Sequence, residues 1–249
     1  MAKVDGIVEI QGTVKGMTFY RSKDGQLVRA KGGISKKRMK TDPAFQRTRE
    51  NGMEFGHNAK MGQLVRNSAV SLLRLAKDYR VSSRLSQTMS VVKNLDLVSA
   101  RGARKVANGL QSVEGKKALK GFDFNQRSSF KSVFKGVVAL DTATGVVTLS
   151  DFNPDLHLAL PEGATHASLS SAVSLIDFEE VIYSTSLSNK ENFPVTDGTL
   201  SITLTPSTFP TGTGHYFYFF LIEFFQEING VQYPLKNNAY NVLTLLEVL

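Results

Sequence analysis

The sequence predicts an α+β fold in which a basic N-terminal β-hairpin arm and a helical region precede an antiparallel, immunoglobulin-like β-sandwich. Three observations predict this order: glycine-punctuated extended segments come first, apolar residues at helical spacing follow, and β-branched and aromatic runs fill the remainder. We place the arm at residues 1–41, the helical region at 42–120 and the sandwich domain at 121–249. A chain of 249 residues is long enough to bury a sizeable core.

The first 41 residues indicate an extended, basic arm. Asp24-Gly25 is a hairpin signal, and the segments on either side of it, 17–21 and 26–30, are compatible with strands. Because an isolated hairpin is only marginally stable in water, the arm needs a surface to lie on. The arm ends in a cluster of cations: Lys36, Lys37, Arg38 and Lys40.

The helical region begins at Asp42. Asp42 is predicted to be an N-cap residue, with Pro43 at the first helical position. An apolar stripe at 69–76 predicts one helix, and the spacing of apolar residues at 81–95 predicts another. The segment 101–119 is compatible with a helix, although its glycines weaken that prediction. The apolar positions within 81–95 are Leu85, Met89, Val92 and Leu95.

From about residue 121 the pattern changes to short β-type runs separated by turn residues, which is typical of an antiparallel sandwich. The aromatic-rich run 216–225 is expected to be the central core strand, with side chains alternating between two faces. Asn229-Gly230 is a type I′ hairpin signal. The chain has no cysteine and no tryptophan, so only the architecture of an immunoglobulin domain is predicted. The predicted strands are 133–140, 144–149, 167–174, 181–187, 200–204, 216–227, 231–234 and 242–248.

The charge is divided along the chain. Residues 1–120 hold 25 Lys and Arg against 9 Asp and Glu, whereas residues 121–249 hold 5 against 13, so formal charges of +16 and −8 make the total of +8. A basic region attracts polyanions, and a basic and an acidic region on one molecule attract further copies of it. The sign change coincides with the predicted start of the sandwich.

Three basic clusters are the candidate contact residues for a polyanion or for another copy of the chain. The second and third are expected on helix faces, because residues three and four apart lie on one side of a helix. A solvated surface explains any single cluster equally well. Beside Lys36, Lys37, Arg38 and Lys40, the clusters are Arg101, Arg104 and Lys105, and then Lys116, Lys117 and Lys120.

No pattern in the chain predicts catalysis, a cofactor, a metal or a small-molecule substrate. The absence of cysteine excludes thiol nucleophiles and Cys-based zinc sites. The four histidines have no metal-ligand spacing, and no nucleotide-binding loop is present. The segment 151–162 places oxygens at calcium-loop positions, but Leu156 stands where the loop requires glycine, so an Asx-rich connection is favoured.

The N-terminus lacks the apolar stretch of a secretory signal, and the longest apolar run, 216–222, is too short to span a bilayer. We therefore expect a protein that is cytoplasmic as synthesised, does not insert into membranes, and leaves the cytosol only by lysis, by a dedicated machine or within an assembled particle.

Several glycine-and-charge motifs are similar to those of a known group of proteins. They are the glycines at 6, 12 and 16, the turn at 23–25, and the segments 29–33, 41–51, 121–125 and 225–236. In these motifs the chain resembles a family from Bacteroidota genomes that carries no assigned activity. The resemblance implies a bacterial or phage-related origin and supplies no catalytic residue.

Three hypotheses follow for the function. The first is a non-enzymatic structural subunit that assembles head to tail into a tube, filament or shell, with the basic half of one copy on the acidic sandwich of the next. The second is a nucleic-acid-associated protein that uses the basic half for packaging or chromosome binding. The third is an enzyme or a carbohydrate-binding sandwich whose site residues are distant in sequence.

Overall fold

The computed structural model describes residues 2–3, 10–22, 25–76 and 78–249. It is mixed helix and strand, 31% and 34% respectively, with antiparallel sheets that include a curled half-barrel. The predicted mixture of helices and antiparallel strands is confirmed. The chain forms two compact units, Met1–Arg49 and Glu50–Leu249, which we call unit 1 and unit 2. The three-part division at 41 and 120 stays a prediction.

Unit 1 contains a four-stranded antiparallel sheet with strand order β1-β4-β3-β2. Two of its strands coincide with the strand-compatible segments of the predicted hairpin, although the turn residue Asp24 lies outside the described residues. Lys15 and Gly16, both at positive φ, form the tight turn before the hairpin. The strands are β1 (Ala2–Lys3), β2 (Gly12–Val14), β3 (Met17–Ser22) and β4 (Gly25–Ala30).

The cationic end of the predicted arm is helical rather than extended. Helix α1 (Lys36–Thr41) begins after Ser35, whose hydroxyl accepts a hydrogen bond from the N–H of Arg38 at 3.2 Å. This cap satisfies one of the free donors of the first turn, which explains why a run of cations forms a helix here. Asp42 ends α1 and caps the following 3₁₀ turn (Pro43–Phe45), as its carboxylate accepts from the N–H of Ala44 at 2.9 Å.

Unit 2 contains the longer helices, of which α2 begins in unit 1 and continues across the boundary. The predicted helix at 81–95 is confirmed as α4, and the weakly predicted segment 101–119 contains two short helices separated by a turn. The helices are α2 (Gln46–Ser68), α3 (Val70–Leu73), α4 (Val81–Asn94), α5 (Val106–Gly109), α6 (Val113–Leu119), α7 (Phe130–Val133) and α8 (Pro154–His157).

Unit 2 also contains a three-stranded sheet of order β10-β6-β5 and a six-stranded sheet centred on β7 and β11. Strands β12 and β13 pair with the outer edge of β11, and β8 and β9 pair with the outer edge of β7. The strands are β5 (Ala139–Leu140), β6 (Val147–Phe152), β7 (His166–Asp177), β8 (Ile182–Leu187), β9 (Glu191–Pro194), β10 (Leu200–Leu204), β11 (His215–Ile228), β12 (Val231–Pro234) and β13 (Val242–Val248).

Two strand predictions need correction. The segment 133–140 is not one strand, because the Asp123 carboxylate accepts from the N–H of Phe130 at 3.0 Å and helps to begin α7, which leaves only β5. Strand β9 was not expected, since it has four residues and ends in Pro194, a residue that sequence patterns assign to turns.

The expected central core strand is confirmed as β11, which is buried on both faces. Phe217, Phe219 and Leu221 join a cluster built largely from the helices, which includes Leu85 and Met89 of α4. The alternate side chains join a second cluster with the three-stranded sheet: Phe220, Ile222 and Phe224. Strand alternation therefore gives the central sheet two covered faces, with helices on one and strands on the other.

Candidate interaction site

The two faces of the unit 1 sheet differ in character. Residues directly opposite in an antiparallel pair lie on the same face, so the register separates the side chains into two sets. One set contains Val14, Met17, Phe19, Val28 and Ala30, which we call the apolar face, and it continues to the polar pair Arg21 and Gln26 at the far end of the ladder. The other set is Thr13, Thr18, Tyr20, Leu27 and Arg29.

The apolar face is not buried. Val14 and Met17 are 50% and 48% exposed, and Phe19 and Val28 are half-buried. Among the described residues from 10 to 49, none is buried. A small sheet is normally stable only when a hydrophobic face packs against something, so unit 1 has the composition of a sheet that requires a covering surface.

The net charge of the protein resides in unit 1. Unit 1 contains 12 Lys and Arg against 4 Asp and Glu, a formal +8, whereas unit 2 contains 18 of each. The basic excess continues past unit 1, however: residues 50–120 carry 13 Lys and Arg against 5 Asp and Glu, and residues 121–249 carry 5 against 13. The sign of the charge therefore changes near residue 121, inside unit 2, and the two opposite excesses of unit 2 cancel.

All four cations of the first basic cluster are exposed, and one of them is paired within its own helix region. Arg38 of α1 pairs with Asp42, with Nε and Oδ2 2.9 Å apart. Lys36, Lys37 and Lys40 lie on the same exposed helix, and among the described residues no carboxylate lies within ion-pair distance of them. These lysines are available to a polyanion or to an acidic protein surface.

The second cluster does not share a helix face, because Arg101, Arg104 and Lys105 lie in the loop between α4 and α5. Each contacts an acidic residue. Lys105 Nζ lies 2.7 Å from Glu179 Oε2, which joins this loop to the end of β7. Arg101 lies 3.7 Å from a carboxylate oxygen of Glu50. Their role as intermolecular contacts stays a prediction.

Arg104 belongs to a buried ion network that the sequence did not indicate. Its Nε and Nη2 atoms donate to the two carboxylate oxygens of Glu54 at 2.8 and 2.9 Å. The ammonium of Lys93 and the N–H of Gly102 donate to the same carboxylate, and both Glu54 and Lys93 are buried. The guanidinium of Arg104 lowers the pKa of Glu54 to about 2, against the opposing effect of burial.

A second buried carboxylate, Asp96, fixes the same loop. Burial raises its pKa, but hydrogen bonds from the N–H groups of Lys105 and Ser99 and from the Asn108 amide outweigh burial and lower it. His57 of α2 accepts a hydrogen bond from the N–H of Val106 at 2.9 Å, and burial lowers its pKa. These contacts stabilise the loop between α4 and α5.

The third cluster lies on α6 and immediately after it. Lys120 pairs with Glu247 of β13. Lys117 is exposed, and Lys116 borders an open cleft of about 570 Å³.

The polar groups in this cleft bond mainly to one another. Asp177 accepts from the N–H groups of Glu179 and Glu180 and from the Thr213 hydroxyl, and these bonds lower its pKa. His215 contacts the carbonyl oxygen of Leu249 through Nδ1 at 3.3 Å, and burial lowers the pKa of His215. No triad of nucleophile, base and orienting acid is assembled from these described groups.

In the described part of the chain, no group of three or more acidic or histidine side chains could hold a metal ion. No helix described here is both long enough and apolar enough to cross a membrane. Comparison with family models, with curated proteins and with solved structures finds no match. The resemblance to the Bacteroidota family stays a prediction.

Proposed function

We propose that this protein is a non-enzymatic structural subunit that assembles with copies of itself, unit 1 of one copy lying on unit 2 of the next. One observation carries the proposal: unit 1 forms a four-stranded sheet in which none of the described residues from 10 onward is buried. Such a sheet does not bury enough apolar area to offset the cost of ordering its backbone.

The apolar face favours a protein partner. Fully burying a large apolar side chain contributes about 1.5–3 kcal/mol, so covering Met17, Phe19 and Val28 stabilises both unit 1 and the assembly. Exposed apolar surface on a sheet is typical of an interaction site. A phosphate backbone gains nothing from these side chains.

Charge favours another copy of this chain as that partner. Unit 1 carries a formal +8, and the strand-rich residues 121–249 of unit 2 carry a formal −8 that includes exposed carboxylates. A basic surface that meets an acidic surface elsewhere on the same molecule makes a heterologous contact, which repeats into a ring or a helical polymer. The exposed carboxylates of residues 121–249 are Asp141, Asp151, Asp155, Glu162, Glu179, Glu180 and Glu227, of which Glu179 pairs with Lys105.

In the assembly, the two sheets of unit 2 act as the rigid body, a sandwich of immunoglobulin-like size. The basic N-terminal arm acts as the connector. Support for the rigid body comes from the cluster shared by the two sheets, which includes Leu149, Leu204 and Phe220. The tube, filament or shell then differs only in the angle between successive copies.

Sedimentation velocity and negative-stain microscopy of the full chain, from low to high salt, test the proposal. We expect oligomers that grow with concentration and dissociate as salt screens the charges. A variant lacking residues 1–41 is expected to remain folded by circular dichroism and to stay monomeric. A full chain that is monomeric at low salt and high concentration contradicts the proposal, as does assembly of the truncated variant.

A nucleic-acid-associated function is the second candidate, and the three exposed lysines of α1 favour it. Each lysine that contacts a phosphate adds about one to the slope of log K against log salt concentration. Replacing Lys36, Lys37 and Lys40 with Gln is therefore expected to flatten this slope. Nucleic acid that co-purifies with the full chain, and binds with a steep salt dependence, supports this candidate. No binding to single or double strands at low salt excludes it.

A further inference from the structure

We infer that the free edge of β8 receives strand β2 from a second copy of this chain, so that unit 1 of one copy extends the six-stranded sheet of the next. The inference rests on the proposed function, and it names the receiving strand and the incoming strand. Strand addition of this kind supplies affinity through backbone hydrogen bonds.

The backbone of β8 presents unused hydrogen-bonding groups. Ser188 donates its N–H to the carbonyl oxygen of Ser171 at 2.9 Å, so the 171–188 pair is a hydrogen-bonded one. Because such pairs alternate along an antiparallel ladder, Tyr183 and Thr185 direct their N–H and C=O groups away from β7. Within the part of the chain that the structure describes, no hydrogen bond to these four groups is found.

The far end of β8 is covered, which limits the free edge to its first four residues. The carbonyl oxygen of Leu187 accepts from the N–H of Ser207 at 3.0 Å, and the hydroxyl of Ser186 accepts from the N–H of Thr208 at 3.0 Å. The outward carbonyl of Leu187 is therefore already hydrogen-bonded by the segment that passes beside it.

The free edge lacks the usual protection against strand addition. Natural edge strands are blunted by lysine, proline, inward charges or bulges. Strand β8 has no charged residue and no proline, and Ile182 and Tyr183 are 60% and 45% exposed. A groove of about 240 Å³ runs beside it, lined in part by Leu175 and Gly212, and gives room for side chains of an added strand.

The incoming strand has a matching edge. Val14 and Met17 flank the two-residue turn and form the hydrogen-bonded pair of that hairpin, so Thr13 directs its backbone groups away from β3. Strand β2 is three residues long, uncharged and fully exposed, which suits the short free edge of β8.

Charge selects a second copy over an unrelated strand. Asp177, Glu179 and Glu180 lie at the end of β7 and in the turn that leads into β8, and Glu180 is exposed. Lys15 follows β2 directly, in a unit with a net charge of +8. Addition of β2 to β8 therefore brings cations to the carboxylates beside the free edge.

A proline substitution tests the receiving edge in the full chain. Tyr183→Pro removes an outward N–H and leaves the β7 ladder intact, whereas Tyr183→Val keeps that N–H and serves as the matched control. We expect Tyr183→Pro to raise the assembly midpoint concentration by about tenfold relative to Tyr183→Val, with unchanged circular dichroism. Equal midpoints overturn the inference while the proposed function stands, and failure of the wild type to assemble overturns both.

Cross-linking tests the incoming strand, because the chain has no cysteine of its own. Full-length Thr13→Cys and full-length Tyr183→Cys are purified separately, mixed and oxidised. Neighbouring strands bring Cα atoms to distances that a disulfide can bridge, so we expect a mixed dimer with one copy of each variant. Same-variant dimers alone, no disulfide, or capture of Tyr183→Cys only by a different protein overturns the inference.

Discussion

Unit 1 and unit 2 are both built around antiparallel sheets, yet among the residues that the structure describes only unit 2 has a buried core. In unit 2 the central strand β11 is covered by helices on one face and by strands on the other, and its charges balance. In unit 1 no described residue from 10 onward is buried and the charge is +8. The difference teaches that a sheet needs a covering surface to be a stable domain, and the function we propose supplies that surface to unit 1 from another copy of the chain.

The largest expected difference between the two units is in the free energy of unfolding when one phenylalanine of each unit is replaced by alanine. Phe219→Ala removes a fully buried ring from β11 and is expected to lower the free energy of unfolding by about 4 kcal/mol. Phe19→Ala in unit 1 is expected to change it by less than about 0.5 kcal/mol and to weaken assembly instead. Urea unfolding followed by circular dichroism measures both. A similar loss for the two variants shows that unit 1 has a core of its own.

The buried ion network of unit 2 gives the next largest effect. Glu54→Gln leaves the buried ammonium of Lys93 with a weakened partner, and we expect a loss of about 3 kcal/mol in the free energy of unfolding. The exposed Glu180→Gln is the matched control, with a change of less than about 0.5 kcal/mol.

The same network predicts a pH dependence. The pKa of Glu54 falls from its ordinary value of 4.5 to about 2 in the folded chain, so its contribution is complete above pH 4.5 and is lost as pH falls toward 2. The unfolding free energy of the wild type is therefore expected to fall more steeply in this range than that of Glu54→Gln. Parallel profiles contradict the role given to the network.

The smallest expected effect is a pH dependence of stability that comes from His57 of unit 2. Unit 1 has no histidine and cannot contribute to it. Burial lowers the pKa of His57, and the unfolded chain therefore takes up the proton first as pH falls below the ordinary value of 6.5. The contribution of His57 to the free energy of unfolding is therefore complete above pH 6.5 and is lost as the pH falls below 6.5. His57→Asn is expected to flatten this loss, with the remainder belonging to His215, whose pKa burial also lowers. An unchanged slope argues against a buried, neutral His57.

The local sequence pattern predicted the helices and strands whose apolar residues follow one regular spacing along their whole length. Strand β11 carries a continuous apolar and aromatic run, and helix α4 carries apolar residues at helical spacing, so both were predicted to within two residues at each end. The Asn229-Gly230 turn was predicted because its conformation depends on the two turn residues themselves, both of which have positive φ.

Packing against distant residues explains what local pattern missed. Glycines were taken to weaken a helix at 101–119, but a Cβ at Gly109 would lie 2.0 Å from the carbonyl oxygen of Val92. Glycine at 109 therefore lets α5 approach the backbone of α4. The Glu54–Lys93–Arg104 network likewise joins residues far apart in the chain, and no spacing rule connects them.

By itself, the sequence determined the mixture of helices and antiparallel strands, the central strand, the basic character of the N-terminal segment and the absence of thiol chemistry. These properties follow from residue type and short-range periodicity. For the residues that the structure describes, only the tertiary structure decided which cations remain exposed, which edge of the six-stranded sheet stays open and in which sheet no residue is buried. Those properties depend on contacts between residues that the chain brings together from a distance.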